Sequence, residues 1–308
     1  MRFSNTLAFV VPTRNRPSDL RRMLKSVAEQ SVVPEEVIIV DGGDEGQTVA
    51  DVPAEFPGLA IRYLRVYPPG LSKQRNAGMD AVADGITLAG YIDDDIVFEP
   101  GSIEAMLAFW EKAGRDLGGT SFNIVNNDRR RVFWIQRFFL LSSPERGTFL
   151  RSGFETPLWP VKETIWTRWL CGGATIWRRD ITREVPYDEW FEGTGYLEDV
   201  DFSSRVSRRY RLAIVGEAKL LHLSYPIRKD RNYLFGTWQS INRMYFVRKH
   251  GEFSRALCYW ALVGQILFHA LLGLATRDTG LLARARGNAA GLVKVLTGRL
   301  ERIGGIIK

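Results

Sequence analysis

Short apolar runs alternate with segments of helical period through the first hundred or so residues, and this alternation constrains the fold more than any other feature. Leu7–Val11, Val37–Val40, Ile61–Val66 and Leu88–Ile92 predict strands. Asp19–Gln30, with Ser18 as its cap and Leu20, Met23, Leu24 and Val27 on one face, predicts a helix, as do Ser72–Val82 and Ser102–Lys112. Strands joined through helices need crossover connections, so the chain is expected to be an α/β protein with a mostly parallel, Rossmann-like sheet flanked by helices. In such sheets ligands bind beyond the carboxyl ends of the strands. The polar loops Pro12–Pro17, Asp41–Gln47 and Asp93–Asp95 all follow strands and are therefore expected to gather at one edge.

Composition narrows the function. With 308 residues, 45% of them apolar, the chain can bury a large core and is not a disordered protein. Two cysteines, Cys171 and Cys258, and three histidines exclude a cysteine-rich zinc site. The apolar run near the start is short and broken by Pro12, unlike a secretory signal, which favours a cytoplasmic location. The net charge of +7 is uneven. Residues 277–308 hold Arg277, Arg284, Arg286, Lys294, Arg299, Arg302 and Lys308 against only Asp278 and Glu301. A charge gathered at one end argues against nucleic acid along the whole surface and for an anionic partner there, such as a membrane surface.

From Arg129 to Phe191 the pattern becomes irregular and aromatic, with Trp134, Trp159, Trp166, Trp169, Trp177 and Trp190. Core filling and an acceptor platform are both compatible with this density. Leu170–Trp177 predicts a strand containing Gly172-Gly173, where another group must approach the backbone closely. Glu198–Arg208 predicts a helix with acids in its first turn, after the Gly-rich Glu192-Gly193-Thr194-Gly195. The last third reads as helical, over Tyr233–Lys249, Leu257–Ala275 and a basic amphipathic stretch that places Leu281, Leu282, Ala285, Ala289, Leu292, Val293 and Leu296 on one side. Leu257–Ala275 is long enough to cross a bilayer but is interrupted by Gln265 and His269, so a buried helix, an interfacial helix and a span are all open. The expected division is a catalytic domain over 1–226 and a C-terminal helical region over 227–308.

The sharpest chemical feature is Asp93-Asp94-Asp95 at the end of an apolar strand. Three adjacent carboxylates repel one another unless a cation compensates them or all face water, and oxygen ligands suit Mn²⁺ or Mg²⁺. Taken in order, Val11-Pro12-Thr13-Arg14-Asn15-Arg16, Val40-Asp41-Gly42-Gly43, Gln74-Arg75-Asn76-Ala77-Gly78, Asp93-Asp94-Asp95 and Glu198-Asp199 resemble the inverting glycosyltransferases of family 2, which have the GT-A fold. The resemblance covers about residues 5–225. It implies a nucleotide-sugar donor, a divalent metal, and a glycan or lipid-linked acceptor.

Carried over by position, the resemblance puts Pro12, Thr13 and Arg14 beside the base and ribose, and Arg75 against the base or diphosphate. Asp41 would accept a hydrogen bond from the base, and a carboxylate pairs with the imide N–H of uracil or thymine, favouring UDP or dTDP. The metal motif would be Asp93 and Asp95, completed by His222, with Asp94 orienting the loop of the nucleotide-sugar site. Gly172 and Gly173 would keep the donor sugar's approach clear. Of the Glu198-Asp199 pair, Asp199 would be the general base. Two other functions compete. Sugar-phosphate nucleotidyltransfer normally needs an early Gly-rich loop, where this chain has Pro-Thr-Arg-Asn-Arg. A degenerate membrane scaffold or glycan-binding protein has no physical need for Asp93, Asp95 and Asp199.

Overall fold

The computed structural model describes residues 3–45, 49–127, 132–158, 161–191, 195–223 and 227–298. Residues 46–48 of the second polar loop, Trp159, residues 192–194 of the Gly-rich segment, and Arg299, Glu301, Arg302 and Lys308 lie outside them. The chain divides into two compact units. One comprises Met1–Arg129, Leu158–Glu189 and Glu198–Ser224; the other comprises Arg130–Pro157, Trp190–Leu197 and Tyr225–Lys308. Residues 130–157 and 190–197, read from sequence with the first domain, thus cluster with the C-terminal helices.

The first unit is built on one sheet. Its strands are β1 (Leu7–Thr13), β2 (Glu36–Asp41), β3 (Ile61–Arg65), β4 (Leu88–Ile92), β5 (Ile96–Phe98), β6 (Leu117–Ile124), β7 (Ile165–Thr167), β8 (Ala174–Arg178) and β9 (Arg211–His222). They lie in the order β3-β2-β1-β4-β8-β6-β9-β5, with β7 against β9. The parallel arrangement holds through β3-β2-β1-β4. From β8 onward the sheet is mixed, because β8 enters antiparallel between β4 and β6.

Alternation along each strand feeds two cores. Leu7, Phe9 and Val11 of β1 and Val37 and Ile39 of β2 face α1 (Pro17–Ala28), which supplies Leu20, Met23, Leu24 and Val27. Ala8, Val10, Ile38 and Val40 face the opposite way, with Met79 of α2 (Leu71–Asp80). Both faces are covered, which is why these strands read as unbroken apolar runs. Helix α1 begins one residue before the expected cap: Pro17 occupies its first turn, where a fixed φ and a missing N–H cost nothing, and no side chain caps it. Gly78 lets α2 lie against Val10 and Val40, whose side chains occupy the space that a Cβ would need.

Helix α3 (Ser102–Glu111) packs Ile103, Met106 and Leu107 into the first core, and α6 (Glu198–Val206) packs Phe202 and Val206 into the second. A short α5 (Arg179–Glu184) follows β8. The other unit contains α4 (Trp134–Phe138), α7 (Asn232–His250), α8 (Arg255–Thr276) and α9 (Thr279–Leu296). The tryptophans serve separate roles. Trp177 is core and meets Phe202 edge-on, half-exposed Trp166 lies under the Arg211 guanidinium, and Trp190 stacks on Tyr245.

Candidate active site

Sheet register assembles the acidic cluster. β4 delivers Asp93, and the chain turns at once into β5, whose antiparallel pairing with β9 sets Ile96 opposite His222. Asp95 Oδ1 then lies 3.1 Å from His222 Nε2, and one ligand atom from each of Asp93, Asp95 and His222 falls within 4.8 Å of the others. Two carboxylates and an imidazole are a donor set that suits Mn²⁺ or Mg²⁺. Burial opposes charge on Asp95 and on His222, but their mutual hydrogen bond and attraction outweigh it, lowering the Asp95 carboxyl and raising the His222 imidazole. Asn126 clamps the His222 backbone from both sides, donating to its carbonyl at 2.9 Å and accepting from its N–H at 3.0 Å.

The acidic tip is not splayed into solvent. Asp94 and Asp95 are buried, and Asp93 is half-buried. Asp94 accepts from the Thr13 hydroxyl at 2.7 Å and pairs with Arg16 at 3.3 Å. Burial pushes its carboxyl up to about 7, despite these two partners. Asp94 therefore ties the end of β1 to the end of β4, in keeping with a loop-orienting role. Arg16 also reaches Asp95 at 3.5 Å.

A second cluster adjoins the first through the glycine pair. Asp93 N–H donates to the Gly173 carbonyl at 2.8 Å, and Gly172 N–H donates to Asp199 Oδ2 at 3.0 Å. The metal motif and the acidic pair on α6 are thus joined across two adjacent residues. A Cβ on Gly173 would strike the Asp93 carboxylate, and one on Gly172 would press on Arg75 and Asp199. The glycines make room for the protein's own charged side chains at this point of the site.

Arg75 also departs from expectation. Its guanidinium is buried, with Nη1 2.6 Å from Glu198 Oε1 and Nη2 3.1 Å from Asp93 Oδ1. It lies beneath the carboxylates, over the Tyr187 ring at 5.2 Å, rather than presented to a base or diphosphate. Glu198 is buried as well, and burial together with neighbouring Asp199 pushes its carboxyl up to about 8 although Arg75 pulls it down. Asp199, half-buried at the α6 N-terminus, accepts from the Val200 N–H at 2.8 Å. The two acids are therefore unequal, with Glu198 locked to Arg75 and Asp199 the more exposed. Removing one partner of a buried ion pair strands the other, so Arg75→Ala should lower unfolding free energy by about 3–5 kcal/mol. Urea denaturation checks this, and an unshifted midpoint contradicts the role.

The loops expected to hold the nucleotide are largely self-satisfied. Asp41 is fully buried and accepts from Gly43 N–H at 2.6 Å, Val49 N–H at 3.0 Å and Tyr63 Oη at 2.9 Å. It pins its own loop through these three donors. Pro12 and Thr13 are buried in β1, with the Thr13 hydroxyl engaged by Asp94. Arg14 is half-buried and pairs with Asp44 at 2.9 Å, and its Nε and Nη1 are buried without hydrogen-bond partners among the described residues. Gln74 joins the ends of β1 and β2 by donating to the carbonyls of Thr13 at 3.0 Å and Val40 at 2.7 Å. Sequence reasoning assigned no role to Arg16, Gln74 or Asn126. Arg16 and Gln74 lie inside the motifs themselves, whereas Asn126 follows a strand that the sequence pattern did not disclose.

The same fold recurs in solved structures. Staphylococcus aureus TarS residues 1–349 in complex with UDP matches with a TM-score of 0.52 over 95% of this chain and 92% of that one, at 15% identity. GalNAc-T7 with UDP, GalNAc and Mn²⁺ matches with a TM-score of 0.54 over 88% and 58%, at 14% identity. The architecture is thus GT-A-type, a mixed sheet flanked by helices. The sequence profile of Glycosyl transferase family 2 matches residues 8–185, more than half of the chain, and the chain belongs to that family. Two Bacillus subtilis (strain 168) proteins are similar to it. Uncharacterized glycosyltransferase YwdF is 38% identical over 102 residues, 32% of this chain and 36% of that protein. Minor teichoic acid biosynthesis protein GgaA is 21% identical over 265 residues, 83% of this chain and 53% of that protein. The chain thus spans between a third and a little over half of these relatives' lengths.

Proposed function

We propose that the chain transfers a sugar, with inversion at the anomeric carbon, from a UDP or dTDP donor to a hydroxyl of a glycan or lipid-linked acceptor. Asp93, Asp95 and His222 would hold Mn²⁺ or Mg²⁺, which when bound compensates negative charge on the diphosphate. The observation that carries this reading is the bridge through Gly172 and Gly173, which sets Asp199 beside the Asp93 end of the three-ligand cluster. Asp199 accepts the proton of the acceptor hydroxyl as that oxygen attacks the anomeric carbon opposite the leaving diphosphate. A single displacement needs only one such carboxylate, and Glu198 is engaged by Arg75 instead. The relative named for teichoic acid biosynthesis and the UDP complex of TarS support a polymer-building transferase with a uridine donor.

Basic and apolar C-terminal helices support residence at the cytoplasmic face of a membrane, where lipid-linked acceptors lie. A thermal-shift panel of UDP, dTDP, GDP and CDP, each with and without Mn²⁺, tests donor and metal together. UDP or dTDP should raise the melting temperature only with the cation present. A flat panel would favour the scaffold reading.

A further inference from the structure

Helix α8 carries its apolar residues outward. Along α8 the exposed positions from 256 to 275 carry no polar side chain: Trp260, Val263, Leu267, Leu271 and Leu274 form one continuous stripe at helical spacing. The polar residues of that stretch turn inward. Gln265 is buried, and His269 Nδ1 lies 2.7 Å from Asn288 Oδ1 of α9. Asn288 is itself fully buried, donating to the Gly236 carbonyl at 2.8 Å, while Ser240 donates to its carbonyl at 2.9 Å. Helices α7 and α9 meet through Gly236, Gly287 and Gly291, where a Cβ would strike the facing helix. Small residues at helix contacts, polar bonds inside and an apolar exterior are the packing rules of helices in lipid, whereas water favours the reverse.

The patch continues onto α4. Phe138 meets Trp260 edge-on at 5.3 Å, Phe133 lies 6.0 Å from Phe268, and Trp134 is 76% exposed. Its border is basic: Arg255 and Arg277, at the two ends of α8, and Arg137 on α4 are all exposed, and α8 carries no acid in its first turn. Aromatics beside an apolar stripe, flanked by arginines, complement an anionic bilayer interface. One side of α8 stays packed on protein through Cys258, Ala261, Leu262 and Gln265, so the helix offers a face to lipid rather than its whole circumference.

We infer that the outer face of α4 and α8 docks into the interface of an anionic lipid bilayer, with Leu267 and Leu271 among the acyl chains and Arg255 and Arg277 at the phosphates. This rests on the membrane-surface part of the proposed function, takes the interfacial option among the three left open for Leu257–Ala275, and adds the apolar stripe and α4 to the basic stretch after residue 277.

Co-sedimentation with vesicles of phosphatidylcholine and phosphatidylglycerol in equal parts tests the inference, with vesicles of phosphatidylcholine alone as the second arm. The full chain should bind the mixed vesicles, and the doubly substituted Leu267→Glu, Leu271→Glu chain should partition at least about tenfold more weakly. Both positions are exposed, so its circular dichroism and melting should match the parent. The Arg255→Gln, Arg277→Gln chain should lose affinity for the mixed vesicles only. Equal sedimentation of parent and glutamate variant overturns the inference. So does an absence of vesicle binding alongside a concentration-dependent dimer that the glutamates abolish, which would assign the face to a second copy. Nucleotide binding in solution, measured on the same variants, should not change, so failure of the docking face and failure of the transferase reading are told apart.

Discussion

Asp95→Ala should abolish Mn²⁺-dependent binding of UDP while the protein stays folded. Asp95 is the central member of the candidate cluster, since its Oδ1 lies 3.1 Å from His222 Nε2 and its ligand atom lies within 4.8 Å of those of Asp93 and His222. Its loss removes one of three converging donors and frees the imidazole to turn away. A divalent cation with few protein ligands does not survive that subtraction, because hard cations select by the number of charged oxygens. Folding is better protected. Arg16 keeps Asp94 at 3.3 Å, and Asp93 keeps Arg75 at 3.1 Å, so no buried arginine is stranded. Titration calorimetry with UDP, with and without Mn²⁺, should show heat for the parent only when the cation is present and none for the variant. Unchanged cation-dependent heat would remove Asp95 from the metal site.

Much of this site was legible because the relevant signals are local. A buried strand that ends in three carboxylates marks its own functional end, and four such strands fix the parallel half of the sheet through period and length alone. The second half was opaque for physical reasons. β9 is uniformly buried over Leu212–Gly216 and alternates only over Glu217–Leu220, and its register against β6 shifts between Phe122 and Asn123, so no single period runs along it. His222 is marked by the family resemblance through its place after Asp199, not by its strand, and Asn126, which clamps it, carries no such mark. Arg75 and Asp41 show a different limit. Residue type and position mark them as important, but whether an arginine or carboxylate faces a ligand or the protein depends on burial, which only the assembled fold sets. Helix α8 carries a third lesson. Its two polar residues read as interruptions of an apolar helix, whereas in the fold His269 meets Asn288 and Gln265 is buried, which leaves the outer stripe unbroken.

Asp199→Asn should leave donor binding close to that of the parent and lower transfer by about 10²–10⁴-fold, the range that a positioned general base contributes. The replacement preserves size and removes the ability to take a proton. Asp199 is suited to that task by contrast with its neighbour. Glu198 is buried against Arg75 at 2.6 Å and pushed up to about 8, whereas Asp199 is half-buried and accepts hydrogen bonds from the N–H groups of Gly172 and Val200. Gly172 N–H reaches Oδ2 and Val200 N–H reaches Oδ1, so the carboxylate is held in a fixed orientation beside the Asp93 end of the cluster. An amide in this position must turn its NH₂ toward one of the two backbone donors, so Asp199→Ser serves as a companion that avoids the clash while also lacking the base. Both variants should show the parent's UDP heat with Mn²⁺ and a depressed kcat. If donor binding and turnover fall together in both, Asp199 is a structural acid of the α6 terminus and the base lies elsewhere.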